Sequence, residues 1–292
     1  IEAYNALRLI NYDLFKNFRH FADRYCNPKW NGFGMSYEGA SNTQELHDLL
    51  KSTVMIRRLK KDVLPELPEK TRSFFPLQLT NKSEYTKADN DLIQFLRETK
   101  GNAAARKAIF AEALTRIEVL KQLAVKGKLE EAINWISDFL EVENKLVVFA
   151  THKFVIDTLI ERFKGIAVKI DGSCTPNERQ RAVESFQNDT NIHLFVGNIQ
   201  AAGVGITLTA SSNVAFLELP WTPGALVQAE DRCHRIGQKD NVNIYYLLAT
   251  GTIEDTIAAL LDRKRKTLDA VLDGIETDQE SLLTELIKQY QS

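Results

Sequence analysis

The sequence predicts an α/β fold: a doubly wound parallel sheet with helices on both faces, preceded by an α-helical region. Three observations predict it. From Gly127 onward, helical stretches alternate strictly with apolar runs. Those runs, such as Leu146-Val147-Val148-Phe149, are about five residues long and rich in β-branched or aromatic side chains, as a sheet covered on both faces requires. A well-formed helix start then follows the turn Asp171-Gly172-Ser173, with Thr175 as N-cap, Pro176 first in the helix and Glu178 closing a capping box.

Taken in order, Asn5 to Tyr25 reads as one amphipathic helix, with Leu7, Ile10, Leu14, Phe18 and Phe21 at helical spacing. Pro28, Gly32, Gly34 and Gly39 make 27–43 irregular. Thr43 to Val63 returns to helix and carries the basic knot Arg57-Arg58-Leu59-Lys60-Lys61, and Leu64-Pro65-Glu66-Leu67-Pro68 stops it. A strand over 73–79 precedes helices near 81–99 and 103–124, with a turn between them at 99–102. The alternating part then reads as helix 128–142, strand 146–149, helix 153–163, strand 166–170, helix 176–187, strand 192–197, strand 213–219, helix 223–236, strand 242–248 and helix 253–272. The tail, 274–292, reads as a solvated helix docked on the domain or a frayed end. In open α/β sheets ligands sit at the carboxyl ends of strands, so the turns after 146–150, 166–170 and 193–197 are the places to look.

Composition sets bounds without choosing a function. The 292 residues are 44% hydrophobic and 26% charged, enough for one large domain or two modest ones. No apolar run approaches a membrane span and no secretory leader precedes the first helix. Ile1 in place of methionine points to a piece of a longer chain. Three scattered cysteines, with no C-x-x-C, argue against disulfides or structural zinc and for a reducing intracellular setting. That setting is the nucleus for a eukaryotic source and the cytoplasm or nucleoid for a prokaryotic or viral one. A net charge of −2 disfavours a protein that simply coats nucleic acid, yet leaves room for one that grips a few phosphates.

The segment 223–236 opens on Thr222 and Pro223. As a helix it places Gln228, Asp231, Arg232 and Arg235 at i, i+3, i+4 and i+7, on one face, and Leu226, Ala229, Cys233 and Ile236 on an apolar stripe opposite. Two guanidiniums a turn apart present planar donor forks suited to phosphate oxygens. A solvated face with an internal Asp–Arg pair would have the same spacing.

The string decides between them. Gln228 to Gln238, Q-A-E-D-R-C-H-R-I-G-Q, resembles the sixth helicase motif of Swi/Snf-family ATPases almost letter for letter. Leu146 to Lys153 is similar to the family's fourth motif, Asp171-Gly172-Ser173 to the loop after it, Leu194 to Ser211 to its fifth, and Pro220 to Pro223 to the segment that follows. Met55 to Lys70 resembles the link between the two motor lobes. Arg24 to Asn42 is similar to the helical protrusion of the annealing-helicase branch. The resemblance implies a RecA-like second lobe over 127–273, with a protrusion and linker at 1–75, a helical lead-in at 76–126 and a helical tail at 274–292.

The resemblance further implies a double-stranded or branched DNA translocase in which two lobes clamp ATP with Mg2+. The first lobe supplies the phosphate loop and acidic pair, the second supplies arginines. Arg235 would then reach the γ-phosphate with Arg232 as its partner, and Gln228 would order the cluster or couple it to the first lobe. Gly203 and Gly205 would let backbone approach nucleotide and DNA, or merely make a tight turn. Thr151, His152, Lys153, Gly172, Ser173, Asn198 and Thr207 become candidates for DNA phosphates. His152 suits a helix cap equally well, and Lys153 an ordinary surface lysine. Arg57, Arg58 and Lys60 fit a linker anchor on DNA or the lobe better than a nuclear address. Trp221 is a core aromatic or a brace for the motif loops. Cys174 stands where the family commonly has threonine; a thiol is a weak donor, and Thr175 is the neighbour able to replace it. Thr207 departs from the common asparagine in the direction of the annealing-helicase branch. Neither G-x-x-x-x-G-K-[ST] nor a D-E-x-[HD] box occurs, so phosphoryl transfer needs another lobe. Two further readings share much of this pattern: a lobe of a strand-separating helicase, and a non-catalytic RecA-like interaction module.

Overall fold

The computed structural model describes residues 3–30, 35–37, 40–56, 58, 63–99, 106–202, 205–272, 286, 287, 289 and 290, with backbone alone for 36, 106, 107 and 265–272. A six-stranded, all-parallel sheet organises it. In chain order the strands are β3 (Lys70–Leu77), β4 (Leu146–Ala150), β5 (Ala167–Ile170), β6 (Leu194–Asn198), β7 (Asn213–Phe216) and β8 (Val242–Ala249). Across the sheet the order is β3-β8-β7-β4-β6-β5. From β4 the chain fills one side with β5 and β6, then the other with β7 and β8, so the direction of winding reverses at β4. Their carboxyl ends form the crevice where such sheets bind ligands.

Central strand β4 shows why these residues make this sheet. Val147 and Phe149 enter one apolar cluster with Phe195, Phe216 and Tyr246, while Leu146, Val148 and Ala150 enter the other with Val196, Ala215 and Leu217. Both sets are fully buried, as the two-residue period of a doubly covered strand demands. Each large side chain so buried contributes roughly 1.5–3 kcal/mol.

The helices are α4 (Lys82–Glu98), α5 (Arg106–Val142), α6 (Lys153–Arg162), α7 (Pro176–Asn188), α8 (Ile199–Ala202), α9 (Pro223–Glu230) and α10 (Ile253–Leu272). The capping box at the start of α7 forms as the sequence predicts. The tail docks: Leu286 is fully buried and Tyr290 Oη donates to Asp89 Oδ1 at 3.1 Å.

Four expectations need correction. The strand expected at 73–79 runs from Lys70 to Leu77 and pairs with β8 along its whole length, so a boundary at 75/76 would fall inside a strand of the main sheet. The two helices expected at 103–124 and 128–142 are one, α5, whose first half packs in one apolar cluster and second half in the other. Within that helix Gly127 permits a crossing: a Cβ there would lie 1.9 Å from Asn81 Oδ1, and Thr80 N donates to Gly127 O at 3.0 Å. The long N-terminal helix is two, α1 (Tyr4–Ile10) and α2 (Phe18–Tyr25), because Asn17 caps the second by accepting from His20 N; Ile10 is left exposed. Of the helix expected at 43–63, α3 (Thr43–Thr53) is described, and 57 and 59–62 lie outside the described residues. Segment 27–43 is mainly irregular, with a small ribbon of β1 (Lys29–Trp30) and β2 (Met35–Ser36). This region has its own apolar cluster of Tyr4, Phe15, Phe21 and Cys26, tied by Arg24 to Glu45.

Candidate functional site

The helix carrying Gln228 ends earlier than its periodicity predicts. α9 stops at Glu230, and 231–237 is a series of tight turns closed by Gly237 at φ +100°. The cause is tertiary. Glu230, His234 and Gln238 all turn inward. Gln238 Nε2 donates to the carbonyl oxygens of Ser211 (2.9 Å) and Cys233 (3.3 Å), and His234 Nε2 meets Pro68 O at 2.6 Å. The expected four-residue face therefore does not form. Gln228 has an exposed side chain, Asp231 accepts from Lys70, and Ile236, placed by periodicity on the apolar stripe, is 77% exposed. Leu226, Ala229 and Cys233 do lie buried.

Arg232 and Arg235 nevertheless converge. Nη1 of each donates to the same acceptor, Ile206 O, at 3.3 and 3.0 Å; Arg235 Nη1 also reaches Thr207 Oγ1 at 3.2 Å, and Arg232 Nε donates to Gln228 O at 3.1 Å. Leu208 N donates to Arg232 O at 2.8 Å, fastening the 205–209 loop to the arginine turn. Gly205 enters that loop at φ +78°, a conformation glycine adopts without cost. Burial, and then the charge of Arg235, push the Arg232 pKa down, with Asp231 opposing. Two cations sharing one neutral oxygen form a place where an anion is favoured.

The strand-end loops look different. His152 sits between two carboxylates: its Nδ1 is hydrogen-bonded to Glu218 and its Nε2 lies 3.4 Å from Glu118 Oε1. Glu118, then Glu218, raise its pKa to about 9. Glu218, 2% exposed, also accepts from the backbone N–H groups of Thr151 and His152 at 2.8 and 2.9 Å. Beyond Glu118 lies Lys121, whose ammonium stands 4.5 Å from the centre of the Trp221 ring, so Trp221 is both core-packed and a brace. This takes the His152 ring out of the set of donors facing solvent, and its ring makes no helix-capping bond.

Lys153 ends on Asp157, which also holds Lys169. Ser173 N and Oγ both donate to Asp171 Oδ1, at 2.9 and 2.5 Å; chiefly through that hydroxyl, the Asp171 carboxyl is held well below the usual carboxylate range. Cys174 Sγ lies 3.4 Å from Asp171 N. Thr175, able on sequence grounds to replace it, spends its hydroxyl on Glu178 as the α7 cap. Asn198 Nδ2 donates to Thr151 O at 2.8 Å while its Oδ1 caps α8 through Gln200 and Ala201. Nothing within 4 Å would meet a Cβ at Gly172. Thr207 sits under Arg235 rather than among these loops. Arg58 is exposed, and Arg57, Lys60 and Gly203 lie outside the described residues.

Sequence reasoning missed two buried acids. Glu230, fully buried, accepts from Lys70 (3.1 Å), Arg72 (2.9 and 2.6 Å) and Tyr246 (2.8 Å). Burial opposes its charge, yet Arg72 and Lys70 keep its pKa lowered. A signal existed: Glu230 lies four residues after buried Leu226, and Glu218 interrupts the apolar run 213–219. A carboxylate on a buried face needs a partner elsewhere.

Fold and site together define a RecA-like helicase lobe with a paired-arginine turn. The chain matches the Helicase conserved C-terminal domain over residues 127–237 and the SNF2-related domain over 1–127. It is 38% identical over 279 residues to the SWI/SNF-related matrix-associated actin-dependent regulator of chromatin subfamily A-like protein 1 homolog of Caenorhabditis elegans, covering 92% of this chain and 39% of that protein. It is 37% identical over 270 residues to the DNA annealing helicase and endonuclease ZRANB3 of Homo sapiens, covering 89% and 24%. Among solved structures, the Sulfolobus solfataricus SWI2/SNF2 ATPase core in complex with dsDNA aligns with a TM-score of 0.56 at 26% identity, over 91% of this chain and 58% of that one. The C-terminal part of the Fun30 ATPase domain, 18% identical with a TM-score of 0.57 over 77% and 99%, shares the fold. The chain belongs to the Swi/Snf family and contains its second, C-terminal RecA-like lobe. It spans about two-fifths or less of these two relatives' length.

Proposed function

We propose that this chain is the second motor lobe of an ATP-dependent translocase on double-stranded or branched DNA, one that remodels forks or anneals strands. The observation that carries the reading is the convergence of Arg232 and Arg235 on the single neutral oxygen of Ile206. That pair fits a phosphoryl group better than any internal partner, because no carboxylate is recorded bonded to either guanidinium among the described residues. ATP with Mg2+ supplies the transferable phosphoryl group, held mainly by the first lobe of the same protein. Arg235, the more exposed of the two, is the finger that stabilises charge developing on the γ-phosphoryl oxygens. Arg232, half-buried and bonded to Gln228 O, orients the pair, and the fastened 205–209 loop keeps both from collapsing onto solvent.

DNA backbone contacts come from the carboxyl ends of β4, β5 and β6, through Thr151, Lys153, Gly172, Ser173 and Asn198. Such contacts hold a duplex without reading its sequence. Arg57, Arg58 and Lys60 anchor the linker. The names of the relatives, an annealing helicase among them, support the fork-remodelling branch. The work takes place beside the genome, in the nucleus for a eukaryotic source.

The test uses the protein carrying both lobes. Duplex or forked DNA should stimulate its ATP turnover, and it should anneal complementary strands held apart by a single-strand binder. DNA-independent turnover, or none, would count against the reading. The chain by itself should hydrolyse ATP at background rate, since it contains neither phosphate loop nor acidic box.

A further inference from the structure

Residues 68–72 and 230–234 grip one another although 158 to 166 positions separate the partners. Pro68 O meets His234 Nε2 at 2.6 Å. Lys70 Nζ donates to Glu230 and to Asp231, each at 3.1 Å. Arg72 holds Glu230 in a two-pronged fork, and Tyr246 Oη donates to the same carboxylate. Two bonds fix the register: Val242 N donates to Glu69 O at 2.9 Å, and Glu69 N to the side-chain oxygen Asn241 Oδ1 at 3.3 Å.

The placement matters more than the number of bonds. Glu230 and Asp231 stand immediately before Arg232, and His234 immediately before Arg235, so each arginine directly follows a residue of the grip. On the other strand of the grip, Pro68 ends the stiff Leu64-Pro65-Glu66-Leu67-Pro68 segment, itself closed by a Leu67 N to Leu64 O bond of 3.0 Å. Buried ion pairs are poor stabilisers compared with apolar packing of the same volume, but they impose one geometry. Here the geometry imposed joins the exit of the inter-lobe linker to the arginine turn with no flexible joint between them.

We propose that segment 64–72 and turn 230–235 move as one body, so that the position of the linker sets where Arg232 and Arg235 stand. Lys70, Arg72, Glu230 and His234 are positioning residues for the two arginines. This rests on the reading of Arg235 as the phosphate-reaching arginine. DNA bound at the linker, or a change in the angle between lobes, is thereby delivered to the nucleotide site through the polar grip that β3 carries.

The experiment compares Arg72→Met, Arg72→Lys, Lys70→Met and Arg235→Ala in the protein carrying both lobes. DNA-stimulated kcat, KM for ATP and Tm are measured together. Arg72→Met should lower kcat about tenfold to a hundredfold, the scale of a small displacement of a reacting group, with KM for ATP within about twofold. Arg72→Lys should recover most of that loss. Adding Arg72→Met to Arg235→Ala should cost almost nothing more, because both act through one group. A purely structural role predicts something else: a lowered Tm with normal kcat in the folded fraction, as expected for Gly127→Ala, which also strains packing. That result for Arg72→Met would overturn the inference. Should Arg72→Met fail to fold, Lys70→Met, which leaves the Arg72–Glu230 fork in place, decides: a several-fold loss of kcat supports the grip, and unchanged kcat overturns it. Turnover lost in Arg235→Ala but kept in both linker variants overturns the grip alone; turnover kept in Arg235→Ala overturns the finger reading as well.

Discussion

The arginine turn leads into the amino end of β8, the strand-end loops follow the carboxyl ends of β4, β5 and β6, and the two treat their charges in opposite ways. In the turn, Arg232 and Arg235 meet on a backbone oxygen that carries no charge. In the loops, acids answer the basic and hydroxyl groups: Glu118 and Glu218 hold His152, Asp157 holds Lys153, Asp171 holds Ser173 and Glu178 holds Thr175. A donor already satisfied by a carboxylate gains little by turning to a phosphate, whereas two cations sharing a neutral acceptor gain a great deal. Under the proposed function, the turn would receive an anion that changes charge during a reaction, and the loops would hold a shape against which a uniform polymer backbone slides.

The sharpest way to break this contrast is Arg235→Ala in the protein carrying both lobes. ATP turnover should fall by about 10³-fold or more while affinity for duplex DNA stays within about threefold. Near-normal turnover would show that the turn is a solvated face like any other.

The next effect belongs to the loops and is one of stability. His152 has its pKa raised from 6.5 to about 9, first by Glu118 and then by Glu218. A raised histidine stabilises the fold fully below about pH 6.5, and that contribution is lost as pH rises through about 9. His152→Gln should therefore lower stability by on the order of 1–2 kcal/mol at pH 6, allowing for solvent screening, and flatten the decline in Tm between pH 6.5 and 9.5. Equal pH profiles for the two proteins would remove the imidazole from this role.

Similar in size, Gly205→Ala should cost about 1–2 kcal/mol, since its φ of +78° strains any residue with a Cβ. Because the loop it opens carries Ile206 O, turnover should suffer more than melting does; a loss of Tm alone would detach the loop from the arginines. Lys153→Ala should have the least effect. With its ammonium on Asp157 it should weaken duplex binding less than about threefold and reduce the salt slope by less than about 1. A full unit of slope would place it on a phosphate after all.

Much of the fold was legible because periodicity reports burial. Every strand of the alternating part was readable from its run of β-branched and aromatic residues, and the Thr175–Pro176–Glu178 start of α7 was readable from local hydrogen-bonding capacity alone. The end of α9 was not. Helical spacing continues through Ile236, but Glu230, His234 and Gln238 find better partners on Lys70, Arg72, Pro68 and Ser211, residues up to 166 positions away. Gly127 misled for a related reason. It reads as a break, yet within α5 its missing side chain makes room for Asn81 against the helix backbone.

By itself, then, the sequence determined the class of sheet, the family and the two arginines, since these depend on local pattern and on a string whose residue types suit phosphate. Tertiary structure alone decided which donors remain available. His152, Lys153, Ser173 and Thr175 look interchangeable with Arg232 and Arg235 as phosphate partners until the carboxylates that face them are in place. Whether a buried or half-buried charge is spent or open is set by groups brought to it across the sheet, and no spacing along the chain records that distance.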